Sequence, residues 1–328
     1  MLKILYAGSP DAAAKPLKEI AQSGKHRIVG VLTNPPSAQK RGKELVPTPV
    51  AQAACEINSQ DSGFYSTNPI QILTPNKLIE VYDTIKALNP DILVCFAYGK
   101  IFSQAFMEMF PKGGINLHPS LLPMYRGCAP VPAAILNCDQ ETGITIQRIV
   151  KEMDAGNILL QTKIPLTGKE TSQSLLQTVS DAGGKLFLKV LDSIEDGSVS
   201  QHEIPQDSAK ATYFGMMKKE DGIIDWQDSA VRIDAKIRAF VPWPGTFTTV
   251  GGVPLLIHES AVYGGEEQPE WTTAKPGTVL GVDKKEGILI KTKKGILVAK
   301  NLQWQTKKAV NWKDFINGSR TFIGSVCE

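Results

Sequence analysis

The stretch KILYAGSPDAAAKPLKEIAQSGKHRIVGVLT, residues 3–33, contains two short apolar runs separated by a glycine turn and a segment of helical character. Lys3 to Ala7 predicts a first strand, and Gly8 to Asp11 predicts the turn that ends it. We expect a helix from about Ala12 to Ser23, with Asp11 near its cap, and a second strand from His26 to Thr33. Strand, turn, helix and strand in this order open a doubly wound α/β domain. The turn lacks GxGxxG, so a dinucleotide is not indicated.

The composition is that of an ordinary globular protein with more than one domain. The chain has 328 residues, 42% of them hydrophobic and 21% charged. No apolar run approaches about 18 residues, and the N-terminus lacks the features of a signal peptide. The five cysteines are widely spaced and form no CxxC pair. They indicate reduced thiols in a cytoplasmic protein and no zinc site.

Alternating strands and helices extend the first domain to about residue 200, just after a long helix capped by Gly197. We expect strands at residues 70–73, 91–97, 144–149 and 158–164, and helices at residues 50–55, 77–88, 104–110, 129–136 and 172–196.

Polar residues collect in the stretch GINLHPSLLPMYRG, residues 114–127, after the apolar run 91–97. Asn116 and His118 are two residues apart, and such residues share a face in extended backbone. Asp154 follows another run of β character at residues 145–150. An amide donor, an imidazole and a carboxylate at strand ends are suited to acyl-group chemistry. A purely structural hydrogen-bonding role for His118 and Asn116 is the alternative.

The segment NPPSAQKRGKELVPTP, residues 34–49, contains four prolines and a basic tip formed by Lys40, Arg41 and Lys43. A loop of this length inside a compact domain is usually functional or disordered. Its charges are suited to phosphate contacts, and a surface loop without a partner is the alternative.

After a linker at residues 201–221, residues 222–328 predict a second, smaller domain. A helix at 229–240 precedes five short strands at 247–250, 254–258, 278–282, 288–292 and 296–302. Such strands, separated by glycine-rich turns, favour a small OB-like β-barrel. The stretch from Lys275 to Lys313 contains ten lysines and only two acidic residues, Asp283 and Glu286. This basic surface predicts a nucleic-acid partner, and solvated lysines without a partner are the alternative.

Recognisable motifs lie along nearly the whole chain: Ala7–Ala13, Arg41–Val50, Ala97–Gly99, Asn116 with His118, Ser120–Pro123, Arg126–Gly127, Asp154–Gly156, Lys219–Glu220, Ile224–Trp226, Arg238–Phe240 and Pro242–Pro244. Together they resemble the methionyl-tRNA formyltransferase family. The combination of Asn-x-His, SLLP and Asp is specific to folate-dependent formyl transfer, and the RGK loop with the PWP element narrows it to the tRNA enzyme. Ala12 departs from the family, which usually has an aromatic residue there.

The resemblance implies an α/β formyltransferase domain of Rossmann-like fold followed by the barrel. It implies transfer of the formyl group of 10-formyltetrahydrofolate to the α-amino group of methionine on initiator tRNA, for translation initiation. Asn116, His118 and Asp154 would be catalytic, and Phe96, Ala97, Tyr98, Gly99, Ser120, Leu121, Leu122 and Pro123 would bind the folate. Lys40, Arg41, Lys43 and Lys219 would contact tRNA. We expect a cytoplasmic monomer without a metal.

Two classes of protein compete with this interpretation. One is another folate-dependent formyltransferase or hydrolase with the same first domain, such as an enzyme that formylates amino sugars, which the basic loop disfavours. A purine-pathway formyltransferase would end near residue 200. The other is a nucleic-acid-binding protein that kept the fold and lost activity, which the complete set of Asn116, His118 and Asp154 disfavours.

Overall fold

The computed structural model describes residues 1–38, 44–60 and 63–328 of the chain. These residues form two compact units that alternate along the sequence. The first unit contains residues 1–127, 142–164 and 176–213, and the second contains residues 128–141, 165–175 and 214–328. The expected linker at 201–221 is thus shared between them. Its first part belongs to the unit that contains residues 1–127.

The strands up to residue 214 are β1 (Lys3–Gly8), β2 (Arg27–Leu32), β3 (Ser37–Ala38), β4 (Leu45–Val46), β5 (Gln71–Leu73), β6 (Ile92–Phe96), β7 (Gly114–His118), β8 (Arg126–Gly127), β9 (Glu141–Arg148), β10 (Ile158–Pro165) and β11 (Tyr213–Phe214). The helices in this part are α1 (Asp11–Gln22), α2 (Pro49–Gln60), α3 (Phe64–Thr67), α4 (Tyr82–Leu88), α5 (Gln104–Met107), α6 (Pro130–Leu136) and α7 (Ser172–Glu195). Then follow α8 (Ala230–Ala239), β12 (Phe247–Val250), β13 (Val253–Val262), β14 (Val279–Asp283), β15 (Gly287–Lys291), β16 (Ile296–Trp304), β17 (Val310–Asn311) and α9 (Trp312–Gly318).

The sheet of the first unit has the order β10-β9-β7-β6-β1-β2-β5. The five strands from β7 to β5 are parallel, and β9 runs antiparallel to β7. Alternate residues of β1 enter two separate cores: Ile4 and Tyr6 join one, and Leu5 and Ala7 join the other. A parallel sheet buried on both faces is the doubly wound architecture that the sequence predicts. The carboxyl ends of its parallel strands meet at one edge, where ligands bind in such folds.

Close packing at the end of β1 explains two residues of the first turn and helix. A Cβ atom at Gly8 would lie 2.7 Å from the carbonyl oxygen of Phe96, so only glycine fits there. Pro16 has no N–H and cannot bond to the carbonyl of Ala12 within α1. The hydroxyl of Ser180 in α7 donates to that carbonyl at 2.8 Å. The helix is therefore tied to α7 at the position where it lacks its own hydrogen bond.

The second unit is built on an antiparallel sheet in the order β12-β13-β16-β15-β14, with β17 paired to β16. The last residues of the chain bond to both edge strands. Glu328 exchanges main-chain hydrogen bonds with Thr249 of β12, and Val279 of β14 bonds to both Gly324 and Ser325. The open edges of the sheet are thereby paired, which confirms the predicted OB-like fold class.

Several predicted elements differ in extent from the observed ones; α2 continues to Gln60 rather than residue 55, and β13 spans Val253–Val262 rather than 254–258. The expected helix at 77–88 is a 3₁₀ turn over Leu78–Val81 followed by α4. The helix expected to reach residue 110 ends at Met107, since Phe110 precedes a proline and is disfavoured from helical geometry. The helix expected to begin with an Asp11 cap has Pro10 at the cap, and Asp11 lies in its first turn.

Candidate active site

Asn116 and His118 lie on β7, between β6 and β9. Asn116 is opposite Cys95 on one side and Gln147 on the other, and His118 is opposite Thr145. Asn116 is half-buried, and His118 is 4% exposed. The described residues provide no hydrogen-bond partner for the side-chain amide of Asn116. That amide is therefore available to a substrate, whereas the imidazole is fixed by the protein.

The loop between β9 and β10 brings Asp154 to His118. The distance between Asp154 Oδ1 and His118 Nδ1 is 3.5 Å. The same carboxylate accepts hydrogen bonds from the Gly127 N–H and from Gln147 Nε2, each at 2.8 Å. A Cβ atom at Gly156 would overlap the carbonyl oxygen of Arg148, so glycine is needed for the loop to return close to β9.

The hydrogen bonds of His118 determine where its proton lies. Nε2 is 2.8 Å from the carbonyl oxygen of Tyr125, which can only accept, so Nε2 carries the proton in the neutral ring. The lone pair of Nδ1 then faces the Asp154 carboxylate. Burial lowers the pKa of His118 below its ordinary value, while the Asp154 carboxylate and the Tyr125 carbonyl oppose that shift. The imidazole is therefore neutral near pH 7, with Asp154 beside its free lone pair.

Cys95, across from Asn116, does not supply a charge to the site. Burial raises the pKa of its thiol to about 12. Cys95 is therefore not one of the ionisable groups that this edge can use near pH 7.

The predicted folate residues lie at the same edge in two groups. Phe96 ends β6, and Ala97 and Gly99 follow it as exposed residues with positive φ of 53° and 81°. Tyr98 between them is 1% exposed, and its ring stacks on Phe102 with centroids 5.7 Å apart. The exposed members of this group present main chain rather than large side chains.

The second group, Ser120 to Pro123, is a tightly anchored turn. Ser120 is fully buried, and its hydroxyl donates to the carbonyl of Met124 at 2.6 Å. The Leu122 N–H donates to Thr145 Oγ1 at 3.2 Å. Leu122 is buried, whereas Leu121 and Pro123 are half-buried. Of these four residues, Leu121 and Pro123 therefore have side-chain surface to offer a ligand.

The predicted tRNA residues Lys40, Arg41 and Lys43 lie outside the described residues. Lys219 is exposed at the start of a 3₁₀ turn, Lys219–Gly222. Eight of the ten barrel lysines are exposed, while Lys300 is half-buried. Lys291 is 9% exposed and pairs with Glu267 at 3.3 Å, so it does not belong to the basic surface.

The sequence interpretation overlooked Gln147 and the main-chain groups of Tyr125 and Gly127. Gln147 and Thr145 alternate with Ile144 and Ile146 in the stretch ITIQ, residues 144–147. They lie opposite Asn116 and His118 on the neighbouring strand. The alternation of β9 could have revealed them. The main-chain groups carry no such signal.

Among residues 1–38, 44–60 and 63–328, no helix is both long and apolar enough to cross a membrane. No group of three or more His, Cys, Asp or Glu side chains within the same residues could hold a metal ion.

Comparison with known proteins identifies the family. A formyl transferase model matches residues 2–191, and a model of the formyl transferase C-terminal domain matches residues 216–320. The chain is 47% identical over 323 residues to a methionyl-tRNA formyltransferase of Treponema denticola, covering 98% of each chain. It is 42% identical to a methionyl-tRNA formyltransferase of Treponema pallidum, covering 97% of each.

Among solved structures, HypX from Aquifex aeolicus, in complex with tetrahydrofolic acid, has a similar fold. The TM-score is 0.64 at 16% identity, over 98% of this chain and 48% of that one. The sequence matches extend through both compact units. The chain belongs to the formyl transferase family, among the methionyl-tRNA formyltransferases.

Proposed function

We propose that this enzyme transfers the formyl group of 10-formyltetrahydrofolate to the α-amino group of methionine on initiator methionyl-tRNA. The observation that carries this proposal is the position of a free amide, Asn116, on the same strand as His118 and two residues before it, with Asp154 3.5 Å from that imidazole at the carboxyl edge of the sheet. Formyl transfer to an amine needs a donor for the carbonyl oxygen and an acceptor for the amine proton. These three residues supply both.

Asn116 serves as the oxyanion donor in this mechanism. When a neutral amine attacks the formyl carbon, negative charge develops on the formyl oxygen, and a preorganised amide N–H stabilises that charge. The Asn116 side chain has no competing bond to the described residues, so it can turn toward this oxygen without losing an existing partner.

The His118–Asp154 pair receives the proton that the amine loses. Its carboxylate is held by the Gly127 N–H and Gln147, and its neighbour His118 is neutral with a lone pair facing it. Once the proton reaches the carboxylate, Nδ1 of His118 can accept a hydrogen bond from it. The pair therefore holds the proton beside the reacting centre without placing an unpaired charge in a buried site. When the bond between the formyl carbon and the folate nitrogen breaks, this proton passes to the departing nitrogen, so that tetrahydrofolate leaves neutral at that atom.

The folate is proposed to lie between the two groups at this edge, Phe96 to Gly99 and Ser120 to Pro123. Positive φ at Ala97 and Gly99 turns main-chain groups outward, which suits hydrogen bonds to a flat heterocycle. The rigid turn at Ser120–Pro123 would border the reactive end of the folate. Main-chain N–H and C=O groups commonly fix the orientation of a ligand in this way.

The acceptor tRNA is proposed to contact Lys40, Arg41, Lys43 and Lys219, with the exposed barrel lysines holding its phosphates. In this proposal, residues 1–200 bind folate and catalyse transfer, residues 201–221 link the domains, and residues 222–328 bind tRNA. The protein acts as a monomer in the cytoplasm.

The test is incubation of the purified protein with 10-formyltetrahydrofolate and charged initiator tRNA, followed by measurement of blocked methionine. We expect formylation of initiator tRNA and much slower formylation of charged elongator methionine tRNA. A parallel reaction contains a nucleotide-linked amino sugar as the acceptor. Formylation of the sugar and not of the tRNA would replace this proposal with the rival activity.

A further inference from the structure

Gln206, in the segment expected to be a linker, bonds to the loop that carries Asp154. Its Nε2 donates to the main-chain carbonyl of Asp154 at 2.8 Å and to that of Gly156 at 2.7 Å. The same nitrogen is 3.3 Å from Oε1 of Gln147, the side chain that donates to the Asp154 carboxylate. One amide thus reaches both the main chain of Asp154 and one of the donors that hold its side chain.

Arg126 fixes the orientation of this amide. Its Nε and Nη2 both donate to Oε1 of Gln206, at 3.1 and 2.8 Å. A guanidinium has only donors, so the amide oxygen faces Arg126 and the amide nitrogen faces the carbonyls. Arg126 is 3% exposed, and its Nη1 donates to Tyr213 Oη at 3.1 Å. The planar fork therefore holds Gln206 in one position, with no alternative flip of the amide.

Asp154 needs external support because its main chain is strained. Its φ is 54°, in the left-handed region that residues other than glycine rarely adopt. Such a conformation persists only where the surroundings determine it. The hydrogen bonds that Gln206 donates to the carbonyls of Asp154 and Gly156 fix the main chain at this residue and just after it.

The same segment holds the two ends of the Asp154 loop. Glu203 accepts two hydrogen bonds from Arg148, at 2.9 and 2.6 Å, where β9 ends. Ile204 exchanges both main-chain hydrogen bonds with Ile158, where β10 begins. Residues 203–206 therefore bond to the start, the middle and the end of the loop that carries Asp154.

We propose that Gln206, oriented by Arg126, is a positioning residue that holds Asp154 in its left-handed conformation beside His118. This inference rests on the proposed function, since it acts through the proton-accepting carboxylate. Loss of the Gln206 amide N–H would let Asp154 relax away from Nδ1 of His118 while leaving the substrates' binding groups in place. Displacements of about 1 Å at a reacting centre can reduce rates by about a hundredfold.

The test variant is Gln206→Glu, which keeps an oxygen for the Arg126 fork and replaces the donor with an acceptor facing two carbonyls. We expect kcat to fall by about ten- to a hundredfold, with KM for folate and for tRNA within about twofold and with the melting temperature retained. Gln201→Glu is the matched control, since Gln201 is exposed and the same chemical change there should leave kcat unchanged. If Gln206→Glu does not fold, Arg126→Lys takes its place. This variant loses the planar guanidinium that orients Gln206 and should likewise lower kcat.

A double-mutant cycle separates positioning from a general structural role. In an Asp154→Asn background, adding Gln206→Glu should have no further effect on the residual rate, because both changes act through one carboxylate. Additive effects, or wild-type kcat in Gln206→Glu, would overturn this inference. Absence of any formyl transfer by the wild-type protein would instead contradict the proposed function, so the two failures are distinguishable.

Discussion

The buried polar groups of the two units have different partners. In the first unit His118, Arg126 and Gln147 are nearly inaccessible, and their side chains connect through Asp154 and Gln206. In the second unit the Thr246 and Thr248 hydroxyls donate to main-chain carbonyls, and the buried carboxylate of Asp234 pairs with Arg238 at 2.8 Å and accepts from Ser260 at 2.8 Å. An arginine one turn along the same helix neutralises that carboxylate, which indicates structural support. The carboxylate of the first unit lies instead beside a neutral imidazole, which indicates chemistry.

Charge is distributed differently as well. In the first unit the proposed catalytic carboxylate and imidazole form one nearly buried pair, whereas eight of the ten lysines between Lys275 and Lys313 in the second unit are exposed. A single substitution should therefore abolish catalysis, while binding through exposed lysines should decline gradually as charges are removed.

Asp154→Asn should lower kcat by about 10²–10⁴, the range typical for loss of a general base. The amide keeps an oxygen for the Gly127 N–H but cannot take a proton. Folate binding and the melting temperature should stay close to wild type. Steady-state formylation with a separate folate titration measures both quantities, and an unchanged kcat would remove Asp154 from the mechanism.

Thr248→Val should destabilise the second unit by about 1–3 kcal/mol, the cost of leaving buried polar groups unpaired. The Thr248 hydroxyl accepts from the Trp226 indole at 3.0 Å and donates to the Glu328 carbonyl at 2.7 Å. Thermal unfolding should show the loss, with kcat unchanged at low temperature. Thr249→Val is the control, because its hydroxyl lies 3.4 Å from that carbonyl and contributes less.

Arg41→Glu with Lys43→Glu should raise the apparent KM for tRNA about tenfold or more and reduce the salt slope of binding by about 2. The KM for folate should not change. The reversal of Lys77 and Lys86, two exposed lysines without a predicted role, is the matched control for net charge. Equal tRNA kinetics in both double variants would discard the role of the loop.

Acidification should destabilise the first unit through its buried histidines. His26 accepts from the Leu2 N–H and is 3.1 Å from Asp192, and burial lowers its pKa despite that carboxylate. A folded-state pKa below the unfolded value means that the unfolded chain binds more protons, so stability present above about pH 6.5 declines as the pH falls below it. His26→Gln should lessen the fall in melting temperature between pH 7 and 5. The same change at exposed His202 should not.

The sequence predicts much of the fold because its strongest signals are local. Phe247 to Val250, a run of β-favouring residues between glycines, gives β12 with its observed bounds, and the long periodic segment gives α7 to within one residue. The first turn of the expected helix at 77–88 is instead a 3₁₀ turn. Element type was thus better predicted than local geometry, since a tightened turn has no periodic signature.

The site was predictable where spacing or motif marks it, and hidden where distant segments meet. Asn116 and His118 share a face by strand periodicity, as expected. Gln206 meets Asp154 across 52 residues, and Tyr125 contributes only a carbonyl to His118. Such contacts depend on how segments distant in the sequence are brought together in the fold, which composition and periodicity do not predict. They emerge only from tertiary packing.

The most direct measurement is the single-turnover rate of formyl transfer by Asn116→Ala, with substrate affinities determined separately. Loss of one oxyanion donor should reduce the rate by about 10²–10³ while folate and tRNA still bind. A variant that binds both substrates and transfers the formyl group at the wild-type rate would contradict the assignment of this edge of the sheet as the active site.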